Sequence, residues 1–106
     1  HGLANALMLP DSMAFIEAAD LTAAQLQRIQ TIRTLFAEAG RSGDSLADET
    51  RTWFEELGIQ FGLKNHGITA DDLGPLADEA FADPCHATNL IPVTRDDLAT
   101  VYRGAL

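Results

Sequence analysis

Four times along this chain a hydroxyl residue stands directly ahead of apolar residues spaced three and four apart: Thr22, Ser45, Thr69 and Thr94. Such an oxygen accepts hydrogen bonds from the unpaired N–H groups of a helix's first turn, so each position predicts a helix start. Thr22 leads into Leu26, Ile29, Ile32, Phe36 and Ala39 before Gly40 supplies a stop, which makes this the clearest amphipathic pattern in the chain. Ser45 leads into Leu46, Thr50, Trp53, Phe54 and Leu57, closed by Gly58, and the adjacent Trp53 and Phe54 are expected in the core. Thr69 and Thr94 each open the sequence T-x-D-D-L. Asp71, Asp72, Asp96 and Asp97 then fall in first turns, where the helix dipole favours negative charge. Leu73, Leu76, Ala77 and Ala80 form the inner stripe of the fourth helix, and Leu98, Val101, Tyr102 and Ala105 that of the fifth. The shared opening is capping chemistry and not a duplicated unit.

Ahead of these lies a further helical pattern over 2–16, with Leu3, Leu7, Met13 and Ile16 on one side and Ala4 and Met8 beside them. Pro10 falls inside it. Because proline lacks an N–H and its ring clashes with the carbonyl four residues back, a kinked helix or two short ones is expected. The segment 83–93, "DPCHATNLIPV", has two prolines and no period and reads as a loop. No stretch reads convincingly as a strand. The expected fold is all-α, a bundle of about five helices forming one domain over 1–106.

Composition narrows the function. A formal charge of −9, from 16 acidic and 7 basic residues, argues against nucleic acid, whose phosphates need lysine and arginine, and against an anionic membrane surface. The acid excess reads as a solvated surface. The single cysteine, Cys85, permits no internal disulfide and suits a reducing compartment. The opening "HGLANALMLP" lacks the basic region and cleavage site of a signal peptide, and no apolar run approaches the length of a membrane span. A cytoplasmic chain is expected.

The residues able to do chemistry are few. His1, His66 and His86 are the only imidazoles, and no two are three or four residues apart, as a pair on one helical face would be. His66 reads as a polar loop residue, and His86 adjoins Cys85. A nucleophilic cysteine needs a base and a third, orienting group, and none is apparent; a lone cysteine is more often packing or cavity lining. Glycine-rich phosphate loops, G-x-S-x-G and H-E-x-x-H are all absent. By its own residues the chain holds no catalytic or cofactor-binding set.

Two separated stretches carry a resemblance. "HGLANALMLP" is similar to the P-H-G-x-x-N-A-x-x-L-P helix of the iron-containing (group III) alcohol dehydrogenases. "LGIQFGLKNHGITADDLGPLADEAFADPCHATNLIPVTRDDLATVYRGAL" resembles that family's closing run, with its D-P-C-x-x-T-N motif and threonine-capped last helix. Over 14–56 the chain is recognisable only as helical. The resemblance implies the C-terminal part of the dehydroquinate synthase-like, iron alcohol dehydrogenase helical domain, and hence a longer parent whose N-terminal NAD(P)-binding domain is absent here. It further implies a divalent metal, iron or zinc, held by one aspartate and three histidines, of which His1 corresponds to the last. Cys85 is implied to line the substrate end of the cleft. NAD or NADP is expected to bind mainly to the missing domain, the substrate to be a small alcohol or aldehyde, and the reaction to be hydride transfer. The 106-residue chain alone is expected to be inactive and, as a fragment exposing its former domain interface, to form a homo-oligomer, since twofold pairing is the commonest way to bury such a face.

Departures from the family pattern bear on substrate subclass: Asp11 and Ser12 follow Pro10 where L-P-H-V is common, Leu90 and Ile91 replace a proline and an arginine, and "NHG" stands in the turn before Ile68. Maleylacetate reductase and glycerol dehydrogenase relatives share the implied architecture. The alternative of another class is a free-standing helical interaction module without catalysis. That reading expects a surface without a large apolar patch, whereas a domain of a larger enzyme expects an uncovered apolar face.

Overall fold

In the computed structural model, which describes residues 1–106, all four hydroxyl positions open a helical element. Thr22 and Thr94 accept from the amides of Gln25 and Asp97, whose side chains reach back to the threonine N–H groups. Ser45 accepts from Asp48 N at 3.1 Å. The resulting α-helices are α1 (Gly2–Glu17), α2 (Ala23–Glu38), α3 (Leu46–Glu56), α4 (Leu73–Ala82) and α5 (Arg95–Ala105), with no strand. None is long and apolar enough to cross a membrane. Gly40 and Gly58, at φ 79° and 93°, let the chain turn so that Arg41 N and Ile59 N bond back to the carbonyls of Phe36 and Phe54.

Local chemistry explains the departures from regular helix. Thr69 donates to the Asp72 carboxylate, but it opens a 3-10 turn, Ala70–Asp72, and α4 begins only afterwards. Pro75 has no N–H to offer the Asp71 carbonyl, so the first turn tightens. In α1 the proline does not divide the element: α1 is one helix across Pro10, whose ring is fully buried. His66 lies in a 3-10 turn, Leu63–His66, and 83–93 is an ordered segment whose first part is a further 3-10 turn, Pro84–Thr88. Asp83 accepts from Cys85 N at 2.9 Å, and Gln25 of α2 donates to Leu90 O at 2.9 Å.

The helices lie side by side in the order α2, α3, α1, α5, α4, with α1 packed on both α3 and α5. The shortest extent of the molecule, 20 Å, is about two helix diameters. A shallow row of this kind leaves its edge helices with few neighbours. Its core lies where α1, α5 and the 3-10 turn at 63–66 meet, around Leu7, Leu63 and Ala105, with Met8, Phe61, Ile68 and Tyr102 packed against them.

Position in the row decides which apolar stripes are buried. Those of α4 and α5 face inward: Leu73, Ala77 and Ala105 are buried and Leu76, Ala80, Leu98, Val101 and Tyr102 half-buried, while Ala99, outside the predicted stripe, is buried as well. The stripe of α2 does not: only Ile29 is buried and Phe36 half-buried, while Leu26, Ile32 and Ala39 are exposed, as is Leu35 beside the stripe. Trp53, expected in the core, is 38% exposed on α3, edge-on to Phe36 of α2 at 5.7 Å. An amphipathic pattern specifies an apolar face but not the presence of something to cover it.

Further long-range ties join the elements. Arg33 of α2 pairs with Glu49 of α3, which is buried, and also donates to Gly43 O at 2.8 Å. Glu17 at the end of α1 accepts from the first amides of α3, Leu46 N at 3.0 Å and Ala47 N at 2.9 Å. Arg51 of α3 lies 4.5 Å from the centre of the Phe61 ring and pairs with Asp11 of α1.

Candidate functional site

His1 occupies the N-cap position of α1. The residue is exposed; its carbonyl accepts from Asn5 N at 3.0 Å, and its imidazole makes no capping bond. Beside it a hollow of about 380 Å³ runs along α1, lined by Gly2, Asn5, Ala6, Leu9, Ser12 and, from α3, Phe54. The groove is open and mostly apolar, and its lining begins at Gly2, the residue after His1.

The other two histidines are engaged locally. His66 Nε2 lies 2.7 Å from Gln60 O. His86 Nε2 lies 3.0 Å from Phe81 O, and its ring stacks on Phe81 with centroids 4.7 Å apart and planes 10° from parallel. Beside a carbonyl a ring nitrogen must carry the proton, which leaves only Nδ1 as a possible donor to a metal. The fold brings no three histidine, cysteine or carboxylate side chains into a group able to hold a metal ion. A structural or catalytic metal takes at least three protein donors, so these residues do not form a complete centre, and His1 can supply one donor to it.

Cys85 is exposed in the 3-10 turn that follows α4. Asp83 shapes its chemistry. The carboxylate beside the thiol raises the Cys85 pKa through a hydrogen bond and its charge. In return, bonds from the Cys85 side chain and amide lower that of Asp83. The thiol is held protonated, the opposite of what a nucleophilic cysteine needs.

Sequence reasoning missed Glu17, Arg33 and Glu49. Each acts on a partner at least 16 residues away, and no local pattern marks such a pair.

Residues 1–106 match the family model described as Fe-containing alcohol dehydrogenase family, C-terminal. Alcohol dehydrogenase 4 of Saccharomyces cerevisiae is 24% identical over 106 residues, covering 99% of this chain and 27% of the yeast protein. Lactaldehyde reductase of Escherichia coli is 29% identical over 112 residues, covering 99% of this chain and 28% of the enzyme. The chain thus spans a little over a quarter of the length of these relatives, 27% and 28%. No solved structure matches it significantly.

Proposed function

Because the chain belongs to the iron-containing alcohol dehydrogenase family, as its all-helical C-terminal region, we propose that it works as one part of a metal- and NAD(P)-dependent oxidoreductase acting on a small alcohol or aldehyde in the cytoplasm. The observation that carries this is a match over every residue of the chain, including a helix that starts with an exposed, unengaged imidazole.

In this reading His1 contributes one nitrogen to a divalent metal, iron or zinc, whose remaining ligands lie outside these residues. His1 would hold such a metal in part, and the metal would supply Lewis-acid chemistry at the substrate oxygen for a hydride transfer involving a nicotinamide. The helix fixes His1 by its backbone, through the bond from Asn5 N to its carbonyl, so the ring is presented from a rigid element. Cys85, kept neutral by Asp83, lines the substrate cleft without attacking it. NAD or NADP binds mainly elsewhere, since these residues contain no glycine-rich phosphate loop. The 106-residue chain alone is inactive.

The names of the relatives, an alcohol dehydrogenase and a lactaldehyde reductase, support a small alcohol or aldehyde as substrate. The exposed apolar face of α2 and α3 speaks against a free-standing monomeric interaction module. The deciding experiment expresses the open reading frame that carries these residues and measures alcohol oxidation together with metal content by atomic absorption. The expected result is NAD(P)-linked oxidation with bound divalent metal, and loss of the metal in His1→Ala with the far-UV circular dichroism unchanged. Metal content indifferent to His1→Ala, or no oxidation by the whole polypeptide, refutes the assignment.

A further inference from the structure

We propose that Gln25, in the first turn of α2, is a positioning residue for the substrate cleft: its side-chain amide fixes the segment 83–93, which carries Cys85. This role rests on the reading above that the segment lines the cleft. Within 83–93 the bonds are short in sequence. Asp83 accepts from Cys85 N at 2.9 Å, Thr88 Oγ1 donates to Cys85 O at 2.8 Å, Asn89 N donates to His86 O at 3.1 Å, and His86 Nε2 lies 3.0 Å from Phe81 O. They make the 3-10 turn Pro84–Thr88 a stiff unit and leave it tied to the rest of the chain only at its ends. At the first end the turn follows α4 directly, with Asp83 N bonded to Glu79 O at 3.2 Å. At the second, Ile91 and Val93 wall a hollow of about 110 Å³ with Phe15 and Ile16 of α1 and Leu98 and Val101 of α5, an apolar contact that sets depth more than register. The directional tie there is Gln25 Nε2, which donates to Leu90 O at 2.9 Å. No other hydrogen bond joins 83–93 to an element beyond its chain neighbours α4 and α5.

The choice of glutamine fits this double use. Oε1 of Gln25 accepts from Thr22 N at 2.9 Å and so completes the capping box at the start of α2, which a glutamate would do equally well. Glutamate would even add a charge that the helix dipole favours. A carboxylate has no N–H to offer Leu90 O, however, whereas an amide carries an acceptor and a donor together. Gln25 and Leu90 are both half-buried, so their bond meets less competition from water than the exposed ones around it. An edge helix that touches α3 along its length thus reaches the cleft segment through its first turn.

The test uses the whole polypeptide that carries these residues and separates the two halves of the amide. Gln25→Glu keeps the acceptor for Thr22 N and loses the donor. Gln25→Lys keeps a donor for Leu90 O and loses the acceptor, and Thr22→Ala removes the capping hydroxyl while leaving both bonds of the Gln25 side chain. The readouts are steady-state kinetics with ethanol and with lactaldehyde as probes, and deuterium exchange of the peptide 83–91. For Gln25→Glu the expected result is exchange about tenfold faster and KM about tenfold higher with kcat nearly unchanged, because a displaced wall weakens substrate and transition state alike. Gln25→Lys and Thr22→Ala, which weaken the start of α2, leave both readouts close to native. Exchange indifferent to Gln25→Glu overturns the proposal, and so does a KM raised equally by all three variants, which is the mark of a helix cap alone. Faster exchange with an unchanged KM also overturns it, since the segment is then held by Gln25 without bearing on substrate. Turnover of neither probe by the native polypeptide refutes the functional reading, and the cleft role falls with it, while the exchange result still tells whether Gln25 holds the segment.

Discussion

Replacing Arg33 with methionine will destabilise the chain more than replacing Glu49 with glutamine, although both remove the same ion pair. The asymmetry follows from where the survivor is left. The side chain of Glu49 is 2% exposed and that of Arg33 27%. Without Arg33 the carboxylate stays among α3 and its neighbours with no cation and little water, and a buried charge stripped of its partner costs about 3–5 kcal/mol. Gly43 O also loses the bond that Arg33 Nη2 makes to it at 2.8 Å. Without the Glu49 charge, a partly exposed guanidinium keeps Gly43 O and finds water, and the loss is about 1–2 kcal/mol. Urea unfolding followed by Trp53 fluorescence will separate the two midpoints by about 1–2 M. The double variant Arg33→Met, Glu49→Leu, which leaves no charge behind, recovers most of what Arg33→Met loses. Equal losses from the two single variants, or a larger loss from Glu49→Gln, refute the argument.

Glu17→Ala removes the acceptor of two amides at the start of α3 and should cost about 1–2 kcal/mol, read as a lowered urea midpoint. Cys85, though exposed, will react slowly with iodoacetamide near neutral pH because Asp83 holds the thiol protonated; Asp83→Asn lowers the thiol pKa and speeds the reaction. Asp83 titrates below its ordinary range because it accepts from the Cys85 side chain and amide, so the bond at Cys85 N survives mild acid. Its stabilising contribution is present above the unfolded carboxylate pKa and disappears as pH falls through the lower folded value, which an NMR titration of the Cys85 amide will follow.

The helix starts were legible because capping is a contact over three residues: Thr22 with Gln25, Ser45 with Asp48 and Thr94 with Asp97 are readable as short words. The all-helical class followed from them. What the sequence did not disclose was neighbourhood. The periodicity of α2 correctly marks an apolar face, yet it could not show that α2 sits at the edge of a row with Leu26, Ile32 and Leu35 uncovered. The same ignorance placed Trp53 in the core. Arg33 and Glu49, or Glu17 and Leu46, lie 16 and 29 residues apart and are joined only by the packing of α1, α2 and α3. At the candidate site, spacing alone gave three unrelated histidines; it was the resemblance at "HGLANALMLP" that singled out His1.

The place of α2 at the end of the row also bears on how the chain opens. α2 leans mainly on α3, through the Phe36 contact with Trp53 and the Arg33 clasp, with one further bond from Gln25 to Leu90 O, while Leu7, Leu63 and Ala105 hold the centre without it. A segment tied mainly on one side can detach while the rest stays folded, so α2 constitutes a separate unit of sub-global unfolding. Its amides will exchange with deuterium at a free energy set by the α2–α3 contact, below that of the amides of α1 around Leu7. Because Arg33 also grips Gly43 O, detachment of α2 releases the 40–45 connection with it, which makes that connection the first point at which a protease can cut a chain that is otherwise native.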